Sequence, residues 1–211
     1  LLRLIADVQF DTIYHEHFFY FSLAAIERVF TKHGLKVFDV EQLPTHGGSL
    51  RVFAERADSK TPRPASARLH ALRALERDAG VQRSDYYDGF TRRVTATIAS
   101  VRNFLKAARA AGKTVVAYGA AAKGNTLLNA CGASDTDIAY AVDRNPHKQG
   151  LLLPGTHLPV YAPERIAETR PDYVLILPWN LKEEIVQQNK FIGSWGGQFA
   201  VPVPELQVLA A

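Results

Sequence analysis

The chain has 211 residues, 47% of them hydrophobic, and a formal net charge of +4, enough apolar material for one large or two small domains. Its 25 basic residues are spread along the chain, which suits an anionic small ligand and argues against nucleic acid as a partner. One cysteine, Cys131, excludes an internal disulfide and a cysteine-cluster metal site, and with no apolar run of about 18 residues and no signal peptide we expect a cytoplasmic protein that does not cross a membrane. Methionine is absent even at position 1, so we expect a longer polypeptide of which this is a part.

Leu1 to Ala6 is a short apolar stretch, and Phe10 to Ser22 follows as FDTIYHEHFFYFS. Tyr14, His15, Glu16 and His17 can each hold or move a proton, and the aromatics Phe18, Phe19, Tyr20 and Phe21 would lower the local dielectric and shift pKa values. If this segment is extended, His15 and His17 share a face with Glu16 opposite; if it is a turn, any one of them projects. Ser22 N-caps a predicted helix through about Lys32, with Leu23, Ile26, Val29 and Phe30 at helical spacing and His33-Gly34 as its stop. Lys36 to Leu43 and Ser49 to Ala54 read as strands of a hairpin turned at Pro44-Thr45-His46-Gly47-Gly48. The two glycines permit φ > 0 and close approach of a ligand to the backbone.

Asp58 to Ser66 loses the hydrophobic period and reads as a linker. Ala65 to about Asp78 and Asp85 to Ala111 are predicted helices, the second with Phe90, Val94, Ile98, Val101, Phe104 and Leu105 on one stripe and Gly112 at its end. The rest alternates: strands at Thr114 to Tyr118, Ile138 to Val142, Tyr173 to Leu177 and Phe199 to Val203, helices at Ala121 to Ala130, Ala162 to Thr169 and Leu181 to Ile192. Such alternation implies parallel βαβ crossovers, hence an α/β fold with a Rossmann-like parallel sheet and a ligand crevice beyond the carboxyl ends of its strands.

Three loops fall at those ends. Gly119 to Asn125, GAAAKGN, is a tight turn into a helix N-terminus suited to a phosphate, although it is neither a P-loop nor G-x-G-x-x-G. Asp143 follows the second strand, where an acid can hold a ribose hydroxyl, and Trp179-Asn180 follows the third with a stacking ring and an amide. The alternation, and an acid 24 positions after Gly119, also fit an NAD-binding oxidoreductase-like domain, but without its fingerprint. Metal binding by His15, His17 and His46 has an H-x-H pair in its favour and no HExxH or cysteine pattern.

The segments FDTIYHEHFFYFSL, PTHGGSLRVFA, AYGAAAKGNTLLN, VDRNPHKQG, LPGTHLPVYAPE and PDYVLILPWNLKEEI, in order over nearly the whole chain, resemble the C-terminal part of the S-adenosylmethionine-dependent sugar C-methyltransferases. The resemblance implies residues 1 to 56 as the end of a class I methyltransferase domain with its terminal β-hairpin, 57 to 66 as a linker, and 67 to 211 as a Rossmann-like C-terminal domain led by a long helical segment. It implies a nucleotide-linked 4-keto-deoxysugar as substrate, most naturally a dTDP-sugar. His17 would take the C3 proton, Glu16 would orient or charge it, and Tyr14 would hydrogen-bond near the developing enolate oxygen.

The family's zinc-binding segment and the glycine loop for S-adenosylmethionine are not in this chain, and Ala121 stands where relatives often have proline. His15, the loop Thr45, His46, Gly47, Gly48 and Ser49, the group Gly119, Lys123, Gly124 and Asn125, and Asp143, Trp179 and Asn180 are the candidates for binding the sugar nucleotide. A non-catalytic sugar-nucleotide-binding module is the other expectation for such a piece. The sequence does not give the oligomeric state.

Overall fold

The computed structural model describes residues 1–211, which divide into two compact units. The first comprises Leu1–Ala6 and Phe18–Phe90, the second Asp7–His17 and Thr91–Ala211. No helix is long and apolar enough to cross a membrane.

The first unit contains α1 (Leu2–Ala6), α2 (Leu23–Lys32), β1 (Leu35–Leu43), β2 (Ser49–Arg56) and α3 (Ala67–Ala79). Ser22 is extended and its hydroxyl accepts the Ala25 N–H at 3.1 Å, so α2 starts at the predicted cap. β1 and β2 pair antiparallel from Leu43↔Ser49 to Leu35↔Arg56, with an irregularity between Val37 and Asp39. The small core joins Leu23, Val37, Val40, Leu69 and Leu72, with Phe30 and Val52 against it.

Two polar ties hold α3 to this core. Ser66, its N-cap, donates its backbone N–H to Phe38 O at 2.9 Å. Glu76, only 3% exposed, accepts Leu23 N–H at 2.7 Å and Ala24 N–H at 2.9 Å. The carboxylate thus serves as a cap for α2 supplied from another helix, satisfying donors that the helix cannot satisfy itself. Because of these ties the compact unit runs on to Phe90, well past the irregular 57–66 stretch where composition suggests a break.

The second unit has α4 (Phe90–Ala110), β3 (Val115–Tyr118), α5 (Ala122–Cys131), β4 (Ala141–Val142), β5 (Val160–Tyr161), α6 (Arg165–Thr169), β6 (Tyr173–Ile176), α7 (Lys182–Gln188), β7 (Gln198–Val201) and β8 (Gln207–Ala210). The sheet order is β5-β4-β3-β6-β7-β8, parallel throughout except that β8 runs antiparallel to β7. This is the expected Rossmann-like arrangement, and its strand order reverses between β3 and β6, the topological switch point. Val116, Val142, Val174, Ile176, Phe199 and Val201 cluster with Ile166 of α6 and Ile185 of α7, every one of them buried.

Several boundaries differ from the periodicity. The long helix starts at Phe90 rather than Asp85, because Ser84–Tyr87 forms a 3-10 turn and Gly89 takes φ +81°. The predicted helix 181–192 is cut after Gln188, where the Asn189 side chain donates to Ile185 O at 2.8 Å and a 3-10 segment, Lys190–Trp195, follows. β5, two residues long, and β8, an edge strand, carry too little pattern to be seen in the sequence.

Candidate functional site

At the switch point, glycine is required by space as well as by angle. Gly119 takes φ +95°, and a Cβ there would lie 2.6 Å from Pro178 Cδ. Gly124 sets α5 close to β6's outgoing strand end, since a Cβ would meet Leu177 Cβ and Cδ1 at 2.9 Å. The N-cap of α5 is Ala121, which offers no side chain to the first-turn N–H groups. Those donors and the positive end of the helix dipole face the loop that the sequence singles out.

Asp143 braces this turn. Its Oδ2 accepts Ala120 N–H at 2.7 Å, its Oδ1 accepts Asn145 N–H at 2.8 Å, and Lys148 Nζ lies 3.5 Å from Oδ2 while donating to Ala120 O at 2.8 Å. The acid that a ribose would use is therefore engaged in shaping the Gly119 turn.

The loop after β6 joins the same point through a partly buried cluster that carries charge. Lys123 donates to Asn180 Oδ1, and its ammonium lies 4.2 Å from the centroid of the Trp179 ring. Trp179 Nε1–H donates to Asp11 Oδ2 at 2.7 Å, a bond between residues 168 positions apart. Asp11 is fully buried, and its Oδ1 has no hydrogen-bond partner; Asn125 Oδ1 is likewise buried without one. Burial pushes the Asp11 carboxyl up to about 6, against the opposing pull of the Trp179 hydrogen bond and the Lys123 charge. Burial also pulls the Lys123 ammonium down to about 8, with Asp11 resisting.

These shifts have a measurable sign. The folded chain holds the Asp11 proton more tightly than the unfolded chain, so stability from this group is present below about 3.8 and lost as pH rises to about 6. The loss is on the order of 3 kcal/mol. Unfolding free energies of the parent and of Asp11→Asn, compared across pH 3.5 to 7, are expected to converge at the acid end and diverge above it in favour of the variant. A constant difference would mean that Asp11 does not titrate between those limits.

Asp11 belongs to a 3-10 turn, Phe10–Thr12, that leads into the candidate residues Tyr14 to His17. Thr12 N–H donates to Gln9 O at 3.1 Å and Ile13 N–H to Phe10 O at 3.0 Å, and a second turn is closed by His17 N–H to Tyr14 O at 2.9 Å. The segment is thus a turn rather than a strand, with His15 exposed and His17 half-buried. His17 Nδ1 lies 2.8 Å from Thr12 O, and its Nε2 lies 3.1 Å from the Tyr14 hydroxyl. A carbonyl can only accept, so Nδ1 carries the hydrogen, and in the neutral ring Nε2 keeps the lone pair. Tyr14 and His17 are half-buried; His15 and Glu16 are exposed, with Glu16 Oε1 4.0 Å from His15 Nε2.

The structure therefore brings Tyr14 and His17, Gly119 to Asn125, Asp143, Trp179 and Asn180 into one compact unit. Thr45 to Ser49 belong to the other, where His46 takes φ +55°, Ser49 Oγ donates to Thr45 O at 3.0 Å, and a Cβ on Gly48 would meet Arg3 Cγ at 3.1 Å. No group of three or more His, Cys, Asp or Glu is placed to hold a metal ion. Asp143, whose two carboxylate oxygens accept the Ala120 and Asn145 N–H groups, offers no free oxygen to the ribose of S-adenosylmethionine.

Two participants escaped the sequence reading: Asp11, which lies inside the FDTIYHEH run but beside flashier neighbours, and the Thr12 carbonyl, which no side-chain pattern can reveal. Only an acid embedded between Phe10 and the apolar Ile13 hinted at the first.

Residues 44–204 match the family model described as the C-methyltransferase C-terminal domain. The chain is also 42% identical over 212 residues to the C-methyltransferase NovU of Streptomyces niveus, an alignment that covers 100% of this chain and 50% of the relative. It thus spans about half the length of the curated relative it matches. With the Rossmann-like sheet and the Gly119 turn in place, the chain belongs to the C-methyltransferase C-terminal domain family.

Proposed function

We propose that this chain forms the acceptor-holding half of a C-methyltransferase that acts on a nucleotide-linked 4-keto-deoxysugar, with His17 as the general base. The observation that carries the reading is the orientation of His17, whose Nδ1–H is held by Thr12 O so that a lone pair is presented at Nε2 beside the Tyr14 hydroxyl. A carbon next to a keto group releases its proton to such a base while a hydroxyl donor stabilises the forming enolate oxygen. Tyr14 has that hydroxyl within reach of Nε2. When substrate displaces it from the ring, it can turn to the keto oxygen. Glu16, one residue away, is exposed and lies 4.0 Å from His15 Nε2, so any part it plays in orienting His17 is a small one.

S-adenosylmethionine, the donor implied by the family, would supply the methyl group for the enolate carbon. No residue of this chain is assigned to it. The nucleotide's diphosphate fits the uncapped N-terminus of α5, with Lys123 and Asn180 supplying charge and an amide and Gly119 and Gly124 allowing backbone approach. His15, exposed in the same unit, is a further candidate for contacts to the substrate, and the hairpin loop Thr45 to Ser49 of the other unit is a separate candidate by its polar groups alone.

Calorimetric titration of the chain with dTDP, a dTDP-sugar, S-adenosylmethionine and NAD in parallel tests this reading. The two thymidine ligands are expected to bind, and Lys123→Ala to weaken them about ten- to a hundred-fold, as expected for one charge-assisted hydrogen bond. Binding of NAD alone, or affinity for the thymidine ligands untouched by Lys123→Ala, would overturn it.

A further inference from the structure

We infer that Asp11 is a positioning residue for His17: by accepting the Trp179 indole hydrogen it fixes the Phe10–Thr12 turn on the sheet, and with it the carbonyl that orients the imidazole. The inference rests on the reading of His17 as the base, and concerns a residue that touches neither substrate nor the reacting atoms.

The geometry is continuous from the sheet to the ring. Trp179 directly follows Pro178, whose ring lies against Gly119 at the end of β3, so the indole is anchored at the switch point. Its Nε1–H reaches Asp11 Oδ2 at 2.7 Å. Thr12, the next residue, is held in the turn by its N–H to Gln9 O at 3.1 Å and its hydroxyl to the same oxygen at 2.7 Å. The Thr12 carbonyl then accepts His17 Nδ1–H at 2.8 Å. Every link is a short hydrogen bond or one covalent step, so a shift of Asp11 moves the group that sets the tautomer of His17.

A neutral apolar residue at position 11 would hold the turn by packing alone and avoid the cost of burial. Instead the chain places a carboxyl group at zero exposure, with one oxygen unpartnered and an ammonium over the ring of the same indole. A fully buried acid with an unsatisfied oxygen is costly, and groups with such perturbed environments cluster at functional sites. An indole donor also gives the link direction, since Trp179 can only donate and Asp11 in its ionised form can only accept.

The test is nitrogen-15 NMR of the chain's imidazoles, combined with amide exchange, for the parent, Asp11→Ala, Trp179→Phe and Asp11→Asn. In the parent, neutral His17 should show the Nδ1–H tautomer, with the amides of Ile13 and His17 protected. In Asp11→Ala and Trp179→Phe the ring should average both tautomers, and those amides should lose about ten-fold in protection while Val174 and Leu175 of β6 keep theirs. Asp11→Asn retains an acceptor for the indole hydrogen and should restore the parent pattern.

The inference is overturned if both disruptive variants fold and leave the tautomer and the amides as in the parent, or if Asp11→Asn is as damaging as Asp11→Ala. Should the disruptive variants not fold, the unmodified chain decides. The Trp179 indole proton must exchange slowly and shift as Asp11 titrates, and a fast-exchanging, invariant signal overturns the inference. These readouts do not need turnover. Failure of His17 as the base would leave them intact, whereas failure of the Asp11 link would abolish them without touching the His17 reading.

Discussion

Replacing His17 by glutamine is expected to lower kcat of the full-length polypeptide by about 10²- to 10⁴-fold, the usual weight of a general base, with little change in sugar-nucleotide affinity. Glutamine keeps a donor for Thr12 O but has no basic nitrogen to replace Nε2. Two controls separate base from scaffold. His15→Gln removes an exposed ring and should cost less than about ten-fold, and Glu16→Gln, which removes only a nearby exposed charge, should fall in the same range. Exchange of the sugar's acidic proton with deuterated solvent, followed without a methyl donor, isolates the step itself. It should stop in His17→Gln and continue in His15→Gln; continued exchange in the former would remove His17 from the mechanism.

Glu76→Ala is expected to destabilise the first compact unit by about 3 kcal/mol, the range for losing a buried charged group that satisfies two backbone donors. The variant leaves Leu23 and Ala24 N–H without their acceptor at the start of α2 and empties a buried position. Glu76→Gln, which keeps one acceptor oxygen and loses the charge, should fall between parent and alanine. Urea unfolding followed by far-ultraviolet circular dichroism measures the midpoints. A loss under about 1 kcal/mol for Glu76→Ala would mean that water replaces the carboxylate and that the cap contributes no more than an exposed one.

Both expectations depend on contacts of very different visibility in the sequence. The Ser22 cap, the hairpin with its Gly47-Gly48 corner and the strand-helix alternation from Thr114 onward are local signals, and the structure shows each of them. Tyr14 to His17 and Lys123 are conspicuous because their residue types carry chemistry. The sequence leaves open whether the Tyr14 to His17 run is extended or turned. That choice decides which histidine ring bonds the Tyr14 hydroxyl, and the turn closed by His17 N–H to Tyr14 O settles it.

Residue type, local spacing and turn glycines therefore determined the class of fold, the Rossmann-like sheet and the stretches that carry chemistry, because helix and strand periods and φ > 0 positions are short-range properties. The tertiary structure alone decided that Glu76 caps a helix 53 positions away, that Asp143 braces a turn, and that Asp11 is joined to Trp179 across 168 positions. These are pairings of polar groups removed from water. Their strength comes from burial in the folded chain, a quantity that no window of sequence contains.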